Sequence, residues 1–253
     1  MLSIVTDPAF YLLAVPAVLL TGVSKGGFAG GLSLLGVPMM ALVMPVSQAA
    51  SIMLPILCVM DMFGWWSYRK RFDRALLLQL LPGALLGIGL GALLFRHLSS
   101  QWIELLLGIM STLFAVHRLS GAVLADKSSL PEWLKAGWWS GLSGLTSFVA
   151  HAGGPPLMIY LLPKQMDKTR LVATMTFFFA TVNYIKLIPY AWLGQLDTTN
   201  LDTALVLAPL APLGVYAGLW LHHRINETLF YRLSYLFMLL TGLKLVWDSR
   251  LLV

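Results

Sequence analysis

The chain has 253 residues, of which 58% are hydrophobic and 11% charged, and its mean hydropathy is +0.79. A soluble domain carries about a quarter charged residues, so this composition excludes an ordinary soluble enzyme or binding module and predicts one membrane domain over 1–253. The formal net charge of +6 would point a soluble protein toward nucleic acid; here the basic residues sit in short loops, where they report topology instead.

A spanning helix needs about 20 mostly apolar residues. The first apolar region, 8–44, is broken by Gly22, Gly26, Gly27, Gly30 and Gly31. Its only early charge is Asp7 and no small-residue cleavage site follows, so it reads as retained structure and not as a signal peptide. Three regular spans are predicted next, over 48–68, 75–95 and 101–121, and then a polar linker at about 122–134. The region 136–163 is broken by His151, Gly153, Gly154, Pro155 and Pro156. Spans over 170–193, 201–222 and 228–248 complete the chain. Cys58 is the single cysteine, which rules out an intrachain disulfide.

The chain repeats itself. Ala50-Ser51 lines up with Ala173-Thr174, and Gly30-Gly31 with Gly153-Gly154, at one common offset. Pro82, Gly87 and Gly91 line up with Pro209, Gly214 and Gly218 at a second. The reading is a duplication, with repeat one over about 8–121 and repeat two over about 135–248. The proline-glycine pattern reads as close helix packing by small residues.

Charge placement chooses the topology. With the N-terminus outside and both broken regions entering and returning on one side, Arg69, Lys70, Arg71, Arg74, Arg118, Lys127, Lys135, Lys164, Lys168, Arg170, Arg224 and Arg232 all face the cytoplasm. Only Arg96, Lys244 and Arg250 then fall outside. Single crossings would split these basic loops between the two sides, against the positive-inside rule. The expected fold is therefore all-α and polytopic. It has two inverted repeats, each a glycine-broken re-entrant hairpin plus three transmembrane helices, with the N-terminus periplasmic.

The hairpin tips, Ser24–Gly31 and Ala150–Pro156, are the expected site. A helix N-terminus exposes unpaired N–H groups and favours an anion, proline fits a first helical turn, and glycine lets backbone approach a ligand. The candidate substrate-binding residues are Lys25, Gly26, Gly27, Gly30 and Gly31 in the first half, and His151, Gly153, Gly154, Pro155, Asn183 and Lys186 in the second. A lysine at membrane depth has a function or a partner; for Lys25 the rival reading is a side chain that snorkels to the interface. His151 reads either as a substrate contact or as a hydrogen bond to hairpin backbone. Lys186 reads either as an anion attractor or as an interfacial residue. Asp61 is the candidate for proton coupling, with the role of plain counter-ion to a basic residue as its rival. Ser51, Thr174 and Thr176 read as path-lining hydroxyls or, more simply, as bonds to helix backbone. Trp65, Trp66, Trp138, Trp139 and Trp192 lie near segment ends, as an interfacial belt would place them. No zinc-protease, nucleotide-loop or paired-aspartate pattern is present, so neither enzyme activity, metal nor cofactor is expected.

Ser24-Lys25-Gly26-Gly27-Phe28-Ala29-Gly30-Gly31 followed by Pro38 resembles the first-repeat signature of the sulfite exporter TauE/SafE family. Phe148-Val149-Ala150-His151-Ala152-Gly153-Gly154-Pro155-Pro156 looks like the second. The resemblance implies transport of sulfite, organosulfonates or related small organic anions across the bacterial inner membrane, with protons as the energy source. An uncoupled anion channel, or a membrane enzyme or assembly factor, is the competing expectation. The partners expected are the small anion, protons and the lipid bilayer; the oligomeric state, a homodimer included, stays open.

Overall fold

The computed structural model of the protein describes residues 3–27, 33–95, 97–121, 129–221 and 227–249. Within them the chain is helical and has no strand. The first broken region forms α1 (Pro8–Gly27), a 3-10 turn over Ser33–Leu35 and α2 (Gly36–Met40). Three long helices follow: α3 (Val46–Tyr68), α4 (Arg74–Phe95) and α5 (Ser100–Leu119). The second broken region forms α6 (Glu132–Ala150), α7 (Gly154–Leu161) and a 3-10 turn over Leu162–Lys164. Then come α8 (Lys168–Trp192), α9 (Thr198–Leu207), α10 (Leu210–Leu221) and α11 (Glu227–Asp248). Among the described residues five helices are long and apolar enough to cross a bilayer, or six when α9 and α10 are taken as one bent span. Leu12, Leu86, Leu93, Ile188 and Leu205 are all more than half exposed, as side chains solvated by lipid would be. The chain is a polytopic helical membrane protein.

Two sequence expectations are corrected. The first tip was placed from Ser24 onward, but α1 stays helical through Gly27, so Lys25 stands on its last turn and not in a loop. Glycine lowers helix stability by about 1 kcal/mol, and packing outweighs it here, because a Cβ on Gly26 would come within 2.2 Å of the Val215 carbonyl on α10. The region 201–222, expected as one span, is bent by 42° between α9 and α10. Pro209 lies at the bend and supplies no N–H to bridge it.

The main helix contacts run between the two halves of the chain. α1 packs on α10, α4 on α6, α5 on α11, and α3 on α8. Small residues make the closest crossings. A Cβ on Gly87 would lie 1.9 Å from the Gly141 carbonyl, and one on Gly22 would lie 2.8 Å from Gly214 Cα. Backbones can meet this closely only where neither side carries a side chain.

Loop hydrogen bonds mark the two ends of the bundle. At one end Ser3 N–H donates to Asp202 Oδ2 (2.8 Å) and Val5 N–H to Thr203 Oγ1 (3.0 Å), while Ser51 Oγ near the start of α3 lies 3.0 Å from the Gln195 side-chain amide just beyond α8. At the other end Arg170 Nη2 donates to Asp73 Oδ2 (2.6 Å), and Asp73 N–H to Thr174 Oγ1 (3.0 Å). This joins the α3–α4 loop to the start of α8. Lys164 Nζ donates to Glu132 Oε2 (2.7 Å), so the segment holding α6 and α7 closes on itself at its base.

Candidate functional site

The buried charges converge on α3 and α8. Asp61, in the second half of α3, accepts from Lys25 Nζ on α1 and from Asn183 Nδ2 on α8 (2.7 Å). Lys25 keeps 14% of its side chain exposed and Asp61 keeps 2%, which makes this an intramembrane ion pair shared between the arm of the first broken region and α3. Both oxygens of the carboxylate are occupied, one by a cation and one by a neutral amide.

One turn beyond Asn183, Lys186 is fully buried. Its Nζ donates to Ser147 O (2.9 Å), Ser147 Oγ (3.0 Å) and His151 Nδ1 (2.7 Å). Three acceptors match the three protons of an ammonium, and none of the three carries a charge. On the far side of the ring, His151 Nε2–H donates to the Ala50 carbonyl on α3 (2.9 Å). A carbonyl can only accept, so the proton of the neutral imidazole sits on Nε2 and Nδ1 is the acceptor facing Lys186. The Nδ1···Nζ contact holds one proton, since two would set donor against donor.

His151 caps α6 with φ 54°, in the left-handed region, where glycine would be the relaxed choice. The strain is held by its neighbours. His151 N–H donates to Ser147 O (3.0 Å), Ala152 N–H to Thr146 O (3.2 Å), and Ser143 Oγ to Gly153 O (2.7 Å). Tyr190, one turn beyond Lys186, donates to Phe148 O (2.6 Å) and lies beside the imidazole. The end of α6 is thus fastened to α3 and α8 together.

The candidates divide accordingly. Lys25, Asp61 and Asn183 form one polar cluster, and Lys186 and His151 form a second, one turn further along α8. Gly26 is occupied by packing against α10, and Gly27 ends α1. Gly153 caps α7 at its N-terminus and is tight against Ser143, Gly154 is the first residue of α7, and Pro155 follows in the first turn. Gly30 and Gly31 lie outside the described residues. The hydroxyls of Ser51, Thr174 and Thr176 each bond a carbonyl four residues back, at 2.7, 2.7 and 2.8 Å. Among the described residues no group of three His, Cys, Asp or Glu side chains is placed to hold a metal.

Residues 14–245 match the family model of the sulfite exporter TauE/SafE. The chain belongs to this family. No curated protein and no solved structure matches it. The TauE/SafE match takes in the first broken region from residue 14 onward, all of the second, and every member of the two polar clusters, and it makes the protein one of a family of membrane transporters. Ser147 and the Ala50 carbonyl were missed in the sequence. Ser147 stands four residues before His151, on the same helix face, and that spacing is the signal that would have found it. The carbonyl carries no sequence signal at all.

Proposed function

We propose that this TauE/SafE protein is a secondary transporter that moves a small sulfur-containing or organic anion together with a proton. The observation that carries the reading is the Lys25–Asp61 pair, set beside the fully buried Lys186. Two ammonium groups meet one carboxylate among the described groups of the cluster. That leaves one positive charge which neutral dipoles alone solvate, and a singly charged anion complements it. A buried charge is costly unless it is paired.

The pair also supplies a coupling rule. While Asp61 is ionised it occupies Lys25. A proton taken up by Asp61 ends that attraction, frees Lys25 and raises the local positive charge, so the proton and the anion each strengthen the binding of the other. When the anion leaves, Asp61 gives up its proton and closes on Lys25 again. Symport follows from this rule, and the gradients set its direction. His151 and Lys186, holding one proton between them, keep the end of α6 fastened to α8 throughout the cycle.

Alternating access is the movement that suits this arrangement. The hydrogen bonds at the two ends of the bundle support two broken regions that each return to the side they entered, from opposite sides, as inverted repeats do. Basic loops at one end support a cytoplasmic face there, an inner-membrane location and a periplasmic N-terminus.

The test is uptake of a permanently ionised sulfonate into proteoliposomes, with the membrane potential clamped to zero. An inward proton gradient should drive accumulation above equilibrium, and Asp61→Asn should abolish the accumulation while leaving exchange of internal for external anion. Equilibration without accumulation by the unaltered protein would establish the uncoupled channel in place of the carrier. No saturable flux of any sulfonate, sulfite or carboxylate would reject the transport reading.

A further inference from the structure

A second site lies away from the charge cluster. Between α5 and the segment of α6 and α7 there is a cavity of about 250 Å³. Its walls are apolar, chiefly Met110, Leu113 and Phe114 of α5, Leu142 of α6, and Met158 and Ile159 of α7. An apolar cavity of about 150 Å³ already takes up a benzene molecule. Leu113 is 65% exposed and Val116, on the same stretch of α5, is 50% exposed, so this wall belongs to the surface that the bilayer covers.

One end of the cavity is different. His117 and Arg118 line it, in the last turn of α5. Arg118 Nε donates to Tyr235 OH (3.1 Å), and the guanidinium lies over the Phe114 and Tyr235 rings at 5.8 and 5.5 Å. Among the described residues no carboxylate forms an ion pair with it. The guanidinium is therefore positioned by its Nε and by the rings, with its two terminal amino groups available to an acceptor. From Arg118 to Met110 is eight residues of helix, about 12 Å at 1.5 Å each. A cation at the end of a spanning helix, above an apolar slot of that depth, has the dimensions of a charged head with an alkyl tail below it.

We propose that this cavity binds the acyl chain of an anionic amphiphile of the bilayer, with its carboxylate or phosphate head on Arg118. The occupant reaches the cavity from the membrane, past Leu113. Its chain rests against Ala152, Pro155 and Pro156, where α7 begins. The site is separate from Lys25, Asp61, Asn183, Lys186 and His151, none of which lines it.

Trp139 lines the cavity and serves as the reporter. The full chain, in neutral detergent, is titrated with a fatty acid brominated along its tail and with the methyl ester of the same acid. Saturable quenching by the acid is expected in the unaltered protein and should be missing from Trp139→Phe. The ester should bind about tenfold more weakly, and Arg118→Gln should weaken the acid by about the same factor, or about 1.4 kcal/mol, without changing the ester. Arg118→Lys keeps the charge but loses the planar contact with the rings, and should retain affinity within a few fold. Absence of saturable quenching at Trp139 overturns the proposal, as does equal binding of acid and ester. Arg118→Lys binding as weakly as Arg118→Gln would show that packing on Tyr235, and not charge, was lost, which rejects recognition of the head. Displacement of the brominated acid by sulfate as effectively as by an unbrominated fatty acid would make this a small-anion site and reject the amphiphile.

Discussion

Removing Lys25 alone should damage the fold more than removing Lys25 and Asp61 together. Lys25→Met leaves the Asp61 carboxylate, 2% exposed, with Asn183 as its remaining partner. Stranding one member of a buried ion pair costs about 3–5 kcal/mol, and the near-complete burial of Asp61 puts this variant at the upper end. Asp61→Asn strands the ammonium of Lys25 instead, but that side chain keeps 14% exposure and a flexible stem that can carry the charge toward water, so the cost falls at or below the lower end. Asp61→Asn also keeps an amide able to bond Asn183. The double variant buries no charge at this point, and its cost should fall below that of Lys25→Met alone. The resulting interaction energy is expected to exceed the cost of Asp61→Asn alone and to fall within the range of about 0.5–3 kcal/mol seen for residues in one network. Equilibrium unfolding of the four proteins in mixed micelles measures it. Additivity within about 0.5 kcal/mol would show that the pair contributes nothing as a pair, and the coupling rule built on it would fall with that result.

Helix crossing gives an independent check. Gly87→Ala should lower the unfolding midpoint, by about 1–3 kcal/mol of overpacking set against the gain in helix propensity, because its Cβ would fall 1.9 Å from the Gly141 carbonyl. Gly89→Ala, two residues on with nothing within 4 Å, should be neutral or raise the midpoint by up to about 1 kcal/mol; equal midpoints for the two variants would refute the close crossing. His151→Gly relieves the left-handed strain but strips Lys186 and the Ala50 carbonyl of a partner, so it should lose stability on balance, by about 1–3 kcal/mol for the stranded groups; a gain measured by thermal unfolding would show that strain outweighs the hydrogen bonds. The Asp73 carboxyl is held below the usual carboxylate range, first by the Leu76 N–H and then by the Arg170 guanidinium, against the opposing effect of partial burial. A folded-state pKa below the unfolded one gives stability that is present above the unfolded value, about 3.9, and lost as pH falls through the folded value. The stability difference between the unaltered protein and Asp73→Asn, followed by unfolding from neutral to acid pH, should therefore shrink on the acid side; a constant difference would remove the ion pair from the account.

What the sequence made legible was what hydrophobicity and composition encode. Uninterrupted apolar runs became α3, α4, α5, α8 and α11 with ends close to those expected, because a helix in lipid must satisfy its own backbone and has few other choices. Glycine was the ambiguous letter. Gly26 and Gly30-Gly31 look alike in sequence, yet Gly26 continues a helix that α10 approaches to within a side chain's breadth, and only the position of α10 decides this. Proline is ambiguous in the same way: Pro82 and Pro189 lie inside unbroken helices while α9 and α10 part beside Pro209. The site was legible as a set of residue types and illegible as a set of partners. Lys25, Asp61, Asn183, Lys186 and His151 stand out because polar side chains at membrane depth are rare, but which cation takes the carboxylate depends on helices that meet only in the folded bundle. Lys25, on α1, took it, while Lys186, on the same helix as Asn183, was left with serine and histidine. That division of partners is what the proposed coupling rests on. A carboxylate shared evenly by both lysines would neutralise the cluster to one diffuse positive charge and give a proton nothing to release. In the proposed symport, a carboxylate committed to Lys25 ties the availability of that ammonium to a single protonation, with Lys186 as the second attraction for an anion.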